Sequence, residues 1–117
     1  MYGVPQNLES LPLAGTSLSQ LSLGPHIVHF IFDSGHQITA EGKVEVMQDD
    51  AVVAVWDQSN GWSSIAYQSL FRIPVSRCLV PNSKLFVIAF KGGLALHIHD
   101  SSEQFESFSV HPGDIYV

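Results

Sequence analysis

Apolar and polar positions alternate along most of this chain with the two-residue period of β-strands, and little of it shows a helical period. "HIVHFIFD", after Gly24-Pro25, is rich in β-branched and aromatic residues and predicts a strong strand. "HQITAEGKVEVMQ" resumes alternation after Asp33-Ser34-Gly35, so a hairpin is expected there, with Gly35 supplying a positive φ. "AVVAVW" is a short continuous apolar run and predicts a buried strand. "VSRCLV", the turn "PNS", "KLFVIAF", the turn "KGG" and "LALHIHD" follow, and "FESFSV" and "DIYV" close the chain as short strands. "SLSQLSL" predicts a short edge strand. In "SSIAYQSLF" alone does a helical turn compete. The first dozen residues, with Pro5 and Pro12 and no clear period, read as a loosely ordered arm.

A shift of 58 residues sets Phe30 on Ile88, Phe32 on Phe90, Gly35 on Gly93, Ile38 on Leu96 and Ala40 on Ile98. Two similar meanders, over about residues 16–46 and 73–110, are therefore expected. One three-stranded sheet cannot cover its own apolar face, so the two should pack together. The expectation is a single all-β domain over 1–117. Two three- to four-stranded antiparallel meanders would form a sandwich or small, partly open barrel, with at most one short helix.

Composition narrows the classes. At 117 residues, 45% hydrophobic and 14% charged, the chain can build one core and is not a disordered tract. The net charge of −6 and the scattered Lys43, Arg72, Arg77, Lys84 and Lys91 exclude a basic stripe for nucleic acid or an anionic membrane. No apolar run approaches the roughly 20 residues that span a bilayer. The single Cys78 cannot make an internal disulfide, and the first residues lack a signal-peptide pattern. A cytoplasmic setting is expected, with Cys78 as a small core residue.

The candidate chemistry centres on His97-Ile98-His99. Residues i and i+2 of a strand share a face, so both imidazoles can meet one ion. Glu103 lies four residues beyond His99, giving H-x-H-x3-E. Half-exposed strand alternation alone also accounts for the two histidines, so a polar strand face and a metal site are the competing readings. The segment 93–103 resembles the first motif of the cupin family, with three residues between Gly93 and His97 where the family has five. The resemblance implies a divalent transition metal held by His97, His99 and Glu103, in an enzyme or a small-ligand binder. No metal or cofactor is expected under the first reading.

"SLSQL…IVHFIFDSGHQITAE" and "VSRCLV…LFVIAFKGGLALHIHD…FESFSV" resemble an uncharacterised family of small bacterial all-β proteins. That resemblance implies a bacterial protein with no assigned catalytic residues. Acidic β-rich proteins of this size include immunity proteins that block a partner. The expected function is non-catalytic binding of another protein through an acidic or aromatic surface, and self-association through edge strands fits the same pattern. Trp56, Trp62 and Tyr67, between the two similar segments, are the aromatic candidates for such a surface, or else core covers. A pocket for a small apolar ligand is a third reading. His26 and His29, Asp49-Asp50 with Asp57, and Ser109, His111 and Asp114 are weaker constellations, read as capped polar residues, a solvated loop and a crowded polar segment.

Overall fold

The computed structural model describes residues 3–25, 27–57, 67–100, 107–111 and 115–117. Among the described residues ten strands lie in chain order: β1 (Leu18–Leu23), β2 (Val28–Phe32), β3 (Gln37–Ala40), β4 (Val44–Gln48), β5 (Ala51–Trp56), β6 (Val75–Asn82), β7 (Leu85–Phe90), β8 (Leu94–His99), β9 (Phe108–His111) and β10 (Ile115–Tyr116). They form two antiparallel sheets, ordered β1-β2-β3-β9-β10 and β5-β4-β8-β7-β6. The expected all-β sandwich is the fold, with two separate sheets in place of a closed barrel.

Each sheet starts from a meander. In the first, Val28 pairs Ala40 and Phe30 pairs Ile38. In the second, 58 residues on, Phe86 pairs Ile98 and Ile88 pairs Leu96. A register shift interrupts the outer strand of both, between Leu18 and Gln20 and between Val75 and Arg77. The following hairpins then change sheets. β4 leaves the first meander and pairs β8, while β9 leaves the second and pairs β3.

The inner faces meet in one core. Val28, Phe30, Phe32 and Ile38 from one sheet pack with Val44, Val46, Phe86, Ile88, Leu96 and Ile98 from the other. Phe86 on β7 stacks on Phe108 on β9 with centroids 5.9 Å apart, joining the two sheets. Offset aromatic contacts of this kind add about 0.5–1.5 kcal/mol beyond area burial. Asp100 is buried, where its carboxylate accepts from Gly3 N and Ser107 Oγ, both at 3.1 Å. Its charge is thus met by donors rather than left in an apolar interior.

Three local expectations change. The N-terminal arm is docked: a 3-10 helix spans Gln6–Ser10, and Leu8 and Leu13 are fully buried. Val4 N donates to Ser83 O, and Val80 N donates to Glu9 Oε2, so the arm covers the open edge of β6. The Val80 amide, with the Gln6 side chain, holds the Glu9 carboxyl below its ordinary value. An edge strand left bare would invite pairing with another chain. β5 is an edge strand, not a buried one, with Val52 and Val53 about half exposed. A register shift between Val46 and Met47 in the β4–β5 pair leaves an extra residue there and turns that end of β5 outward. β6 runs on through Pro81, which an edge position permits because proline has no amide to donate. Of the stretch where a helix competed, only its end is described, with Tyr67 and Gln68 helical.

The docked arm makes Leu8 a core residue, so Leu8→Ala should lower unfolding free energy by about 2–5 kcal/mol in urea titration. A loss under about 0.5 kcal/mol would mean that the arm does not contribute to the fold.

Candidate metal centre

The alternation of β8 decides where its histidines point. Leu96 and Ile98 are fully buried in the core, so His97 and His99 face outward. On β4, Val44 and Val46 are equally buried and Glu45 faces outward between them. Glu45 lies directly opposite His97 in the ladder. His99 N also donates to Lys43 O at 3.0 Å, fixing the start of the β4–β8 pairing.

The result is a group of three ligand residues, one carboxylate and two imidazoles, on one face. One ligand atom each from Glu45, His97 and His99 lies within 4.8 Å of the others, the only such group among the described residues. Ligands about 2.1 Å from a tetrahedral ion stand roughly 3.4 Å apart. His99 Nε2 donates to Glu45 Oε1 at 2.5 Å, and the rings of His97 and His99 are 6.5 Å apart and tilted by 55°. All three residues are half-buried, and Glu45 keeps only 13% of its side-chain exposure. Lys43 Nζ stands 3.8 Å from Glu45 Oε2 on the solvent side.

The neighbours shape the electrostatics. Val87 lies opposite His97 on β7 and is buried although it faces away from the main core. Val55 lies opposite Glu45 on β5. Burial pushes the His97 imidazole below its ordinary value; the Glu45 charge opposes this, His99 adds to it, and Asp50 opposes it more weakly. At neutral pH His97 is therefore an uncharged ring, the form that can ligate a metal.

The carboxylate beside the histidines is one that the sequence reading did not single out. Glu103 lies outside the described residues, and Glu45 from a distant strand stands beside the histidines. The alternation Val44-Glu45-Val46 carried a signal that Glu45 faces away from a core. Only the sheet order, with β4 beside β8, reveals which residues it meets.

The aromatic candidates divide differently. Trp56 and Tyr67 are core residues, 4% and 1% exposed, so neither offers a contact surface. Trp56 faces inward because it pairs Val44 on the core side of β4. Burial, reinforced by the charge of Glu45, pushes the Tyr67 hydroxyl well above its ordinary value. Trp62 lies outside the described residues. Cys78 is buried, and burial raises its thiol to about 11, so it is not a thiolate at neutral pH.

The described members of the remaining constellations lie on polar strand faces and in a turn. His29 Nδ1 meets Thr39 Oγ1 at 2.8 Å and accepts from Gln37 Nε2 at 3.0 Å, a satisfied polar strand face. Ser109 Oγ and His111 Nε2 are hydrogen-bonded at 3.1 Å, while His26 and Asp114 lie outside the described residues. Asp49 and Asp50 form the two-residue β4–β5 turn at φ 51° and 69°. Such a turn needs positive φ at both positions, which aspartate tolerates better than most residues. That turn packs on the β7–β8 turn: Asp49 N donates to Gly93 O at 3.0 Å and Gln48 Nε2 to Gly92 O at 3.1 Å.

No known protein family, curated protein or solved structure matches the chain significantly. Among the described residues no helix is long and apolar enough to cross a membrane.

The two packed turns hold β4 and β8 in step at the end remote from His99. Gly93 has φ +86°, and a Cβ there would lie 2.1 Å from Asp49 Oδ1. Gly93→Ala should lower stability by roughly 1–3 kcal/mol through strain at this φ and displacement of Asp49. Chemical denaturation at neutral pH measures this, and a neutral substitution would show that the turn contact does not hold the pairing.

Proposed function

We propose that this domain binds one divalent transition-metal ion through Glu45, His97 and His99. The observation that carries the reading is the convergence of three ligand atoms within 4.8 Å from two hydrogen-bonded strands. Two imidazoles and a carboxylate suit Zn²⁺, Fe²⁺ and Mn²⁺, and zinc binds most tightly of these to such a site. Three protein ligands leave at least one position for water or a small exogenous ligand. Val55 and Val87 flank the site on the neighbouring strands β5 and β7. The His99–Glu45 hydrogen bond opposes metal entry, because both groups must exchange each other for the ion.

Zinc titration by isothermal calorimetry should give about one equivalent bound. Glu45→Ala and His97→Ala should each weaken binding at least tenfold while leaving the far-ultraviolet circular dichroism unchanged. Equal zinc affinity in wild type and both variants would contradict the assignment.

A second reading, contact with a protein partner, is supported by the edge strand β5. Val52 and Val53 are exposed beside the exposed acidic tip at Asp49 and Asp50. An extended apolar segment flanked by lysines could add to this edge, with main-chain hydrogen bonds giving affinity and charge setting direction. A Lys-flanked, Val/Thr-rich peptide should shift the amide resonances of Ala51–Trp56, and Val53→Lys should remove the effect. Shifts spread evenly over the protein, or none, would contradict it.

A further inference from the structure

A cleft of about 790 Å³ opens between three pieces of chain: the start of β1, the β2–β3 turn and the helical turn ending at Leu70. Phe71 bridges Leu18, which sets the helical turn against β1. Asp33 N donates to Ser17 O and Ser34 N to Thr16 Oγ1, which sets the β2–β3 turn on the other side. The lining is mixed: Leu18 and Phe71 are apolar, Ser17, Ser19 and Gln68 supply hydroxyl and amide groups, and Asp33 and Arg72 supply opposite charges.

Two features of this cleft, whose Asp33 and Arg72 side chains are both exposed, bear on what it holds. Arg72 has φ +72°, a left-handed conformation. Chains leaving a helical turn in that conformation place glycine or asparagine there, because a Cβ is strained. Here the position keeps a long cationic side chain. Second, among the described residues no hydrogen bond or ion pair engages the Arg72 guanidinium or the Asp33 carboxylate. The two charges line one cleft without pairing with each other. Strain kept without a structural contact points to a ligand contact.

We infer that this cleft binds a small zwitterion of the amino-acid type, its carboxylate on Arg72 and its ammonium on Asp33. A guanidinium grips a carboxylate with two parallel hydrogen bonds, and a carboxylate accepts from an ammonium group. The hydroxyls of Ser17 and Ser19 and the Gln68 amide favour a hydrophilic side chain over an apolar one. The cleft volume falls in the range of small-molecule sites. This inference is independent of the metal reading.

The test uses the full chain, labelled with ¹⁵N, and a mixture of the proteinogenic amino acids at millimolar concentration, followed by the single compounds. Amide shifts should concentrate at Ser17, Asp33, Ser69 and Arg72, with hydrophilic amino acids binding more tightly than apolar ones. Arg72→Gly should weaken binding at least tenfold and at the same time raise the melting temperature by a few degrees, because glycine relieves the strained φ. Asp33→Asn should weaken binding of amino acids but not of simple carboxylic acids. Combined His97→Ala and His99→Ala substitution should leave this binding intact whether or not zinc binds. No localised shifts, or equal binding by Arg72→Gly, would overturn the inference. So would a lower melting temperature for Arg72→Gly, which would assign Arg72 a structural contact instead.

Discussion

The pairing of β4 with β8 is the constraint on which the candidate centre depends. Val44 faces Ile98 and Val46 faces Leu96, and all four are fully buried between the sheets. Because strand side chains alternate, a slip of one residue in either strand would turn that strand's apolar pair toward solvent and bring Glu45, or else His97 and His99, into the core. Burying one unpaired carboxylate in such an interior costs several kcal/mol after relaxation. The apolar residues therefore fix the register, and the register places the polar residues. No interaction among the three site residues is needed to gather them.

The same pairing exists only because the hairpins cross between sheets. If β4 had stayed in its own meander, Glu45 would lie beside β3, away from both histidines. The crossing also closes the core, since Phe108 is carried onto the first sheet and stacks there on Phe86 of the second. Fold and site thus share one topological feature. Lys43, at the entry of β4, meets both: its carbonyl accepts from His99 and its ammonium faces Glu45.

Much of this was legible locally. The turn at Asp33-Ser34-Gly35, the alternation of β3 and β8 and the outward facing of His97 and His99 follow from residue type and spacing of two. Non-local pairing was not legible. Glu45 could be read as solvent-facing but not as a neighbour of His97, because nothing within either segment encodes the order β5-β4-β8. β5 misled for a related reason: "AVVAVW" is apolar enough for a central strand, yet nothing pairs with its outer edge among the described residues, and a register shift turns Val52 and Val53 outward. Trp56, in the same strand, is buried by its place beside Val44, which composition alone could not separate from an exposed aromatic. The N-terminal arm lacked a period because Leu8 and Leu13 are pinned by a short 3-10 helix and by β6, not by a strand or an α-helix.

The central claim is that the outward face of β4 and β8 holds a metal ion, and anomalous diffraction at the zinc edge tests it most directly. Crystals grown with one equivalent of zinc should show a single strong peak about 2.0–2.2 Å from a carboxylate oxygen of Glu45 and one ring nitrogen each of His97 and His99. A map with no peak there, and with the His99–Glu45 hydrogen bond intact in the presence of zinc, would contradict the account and leave the two histidines as the polar face of a strand.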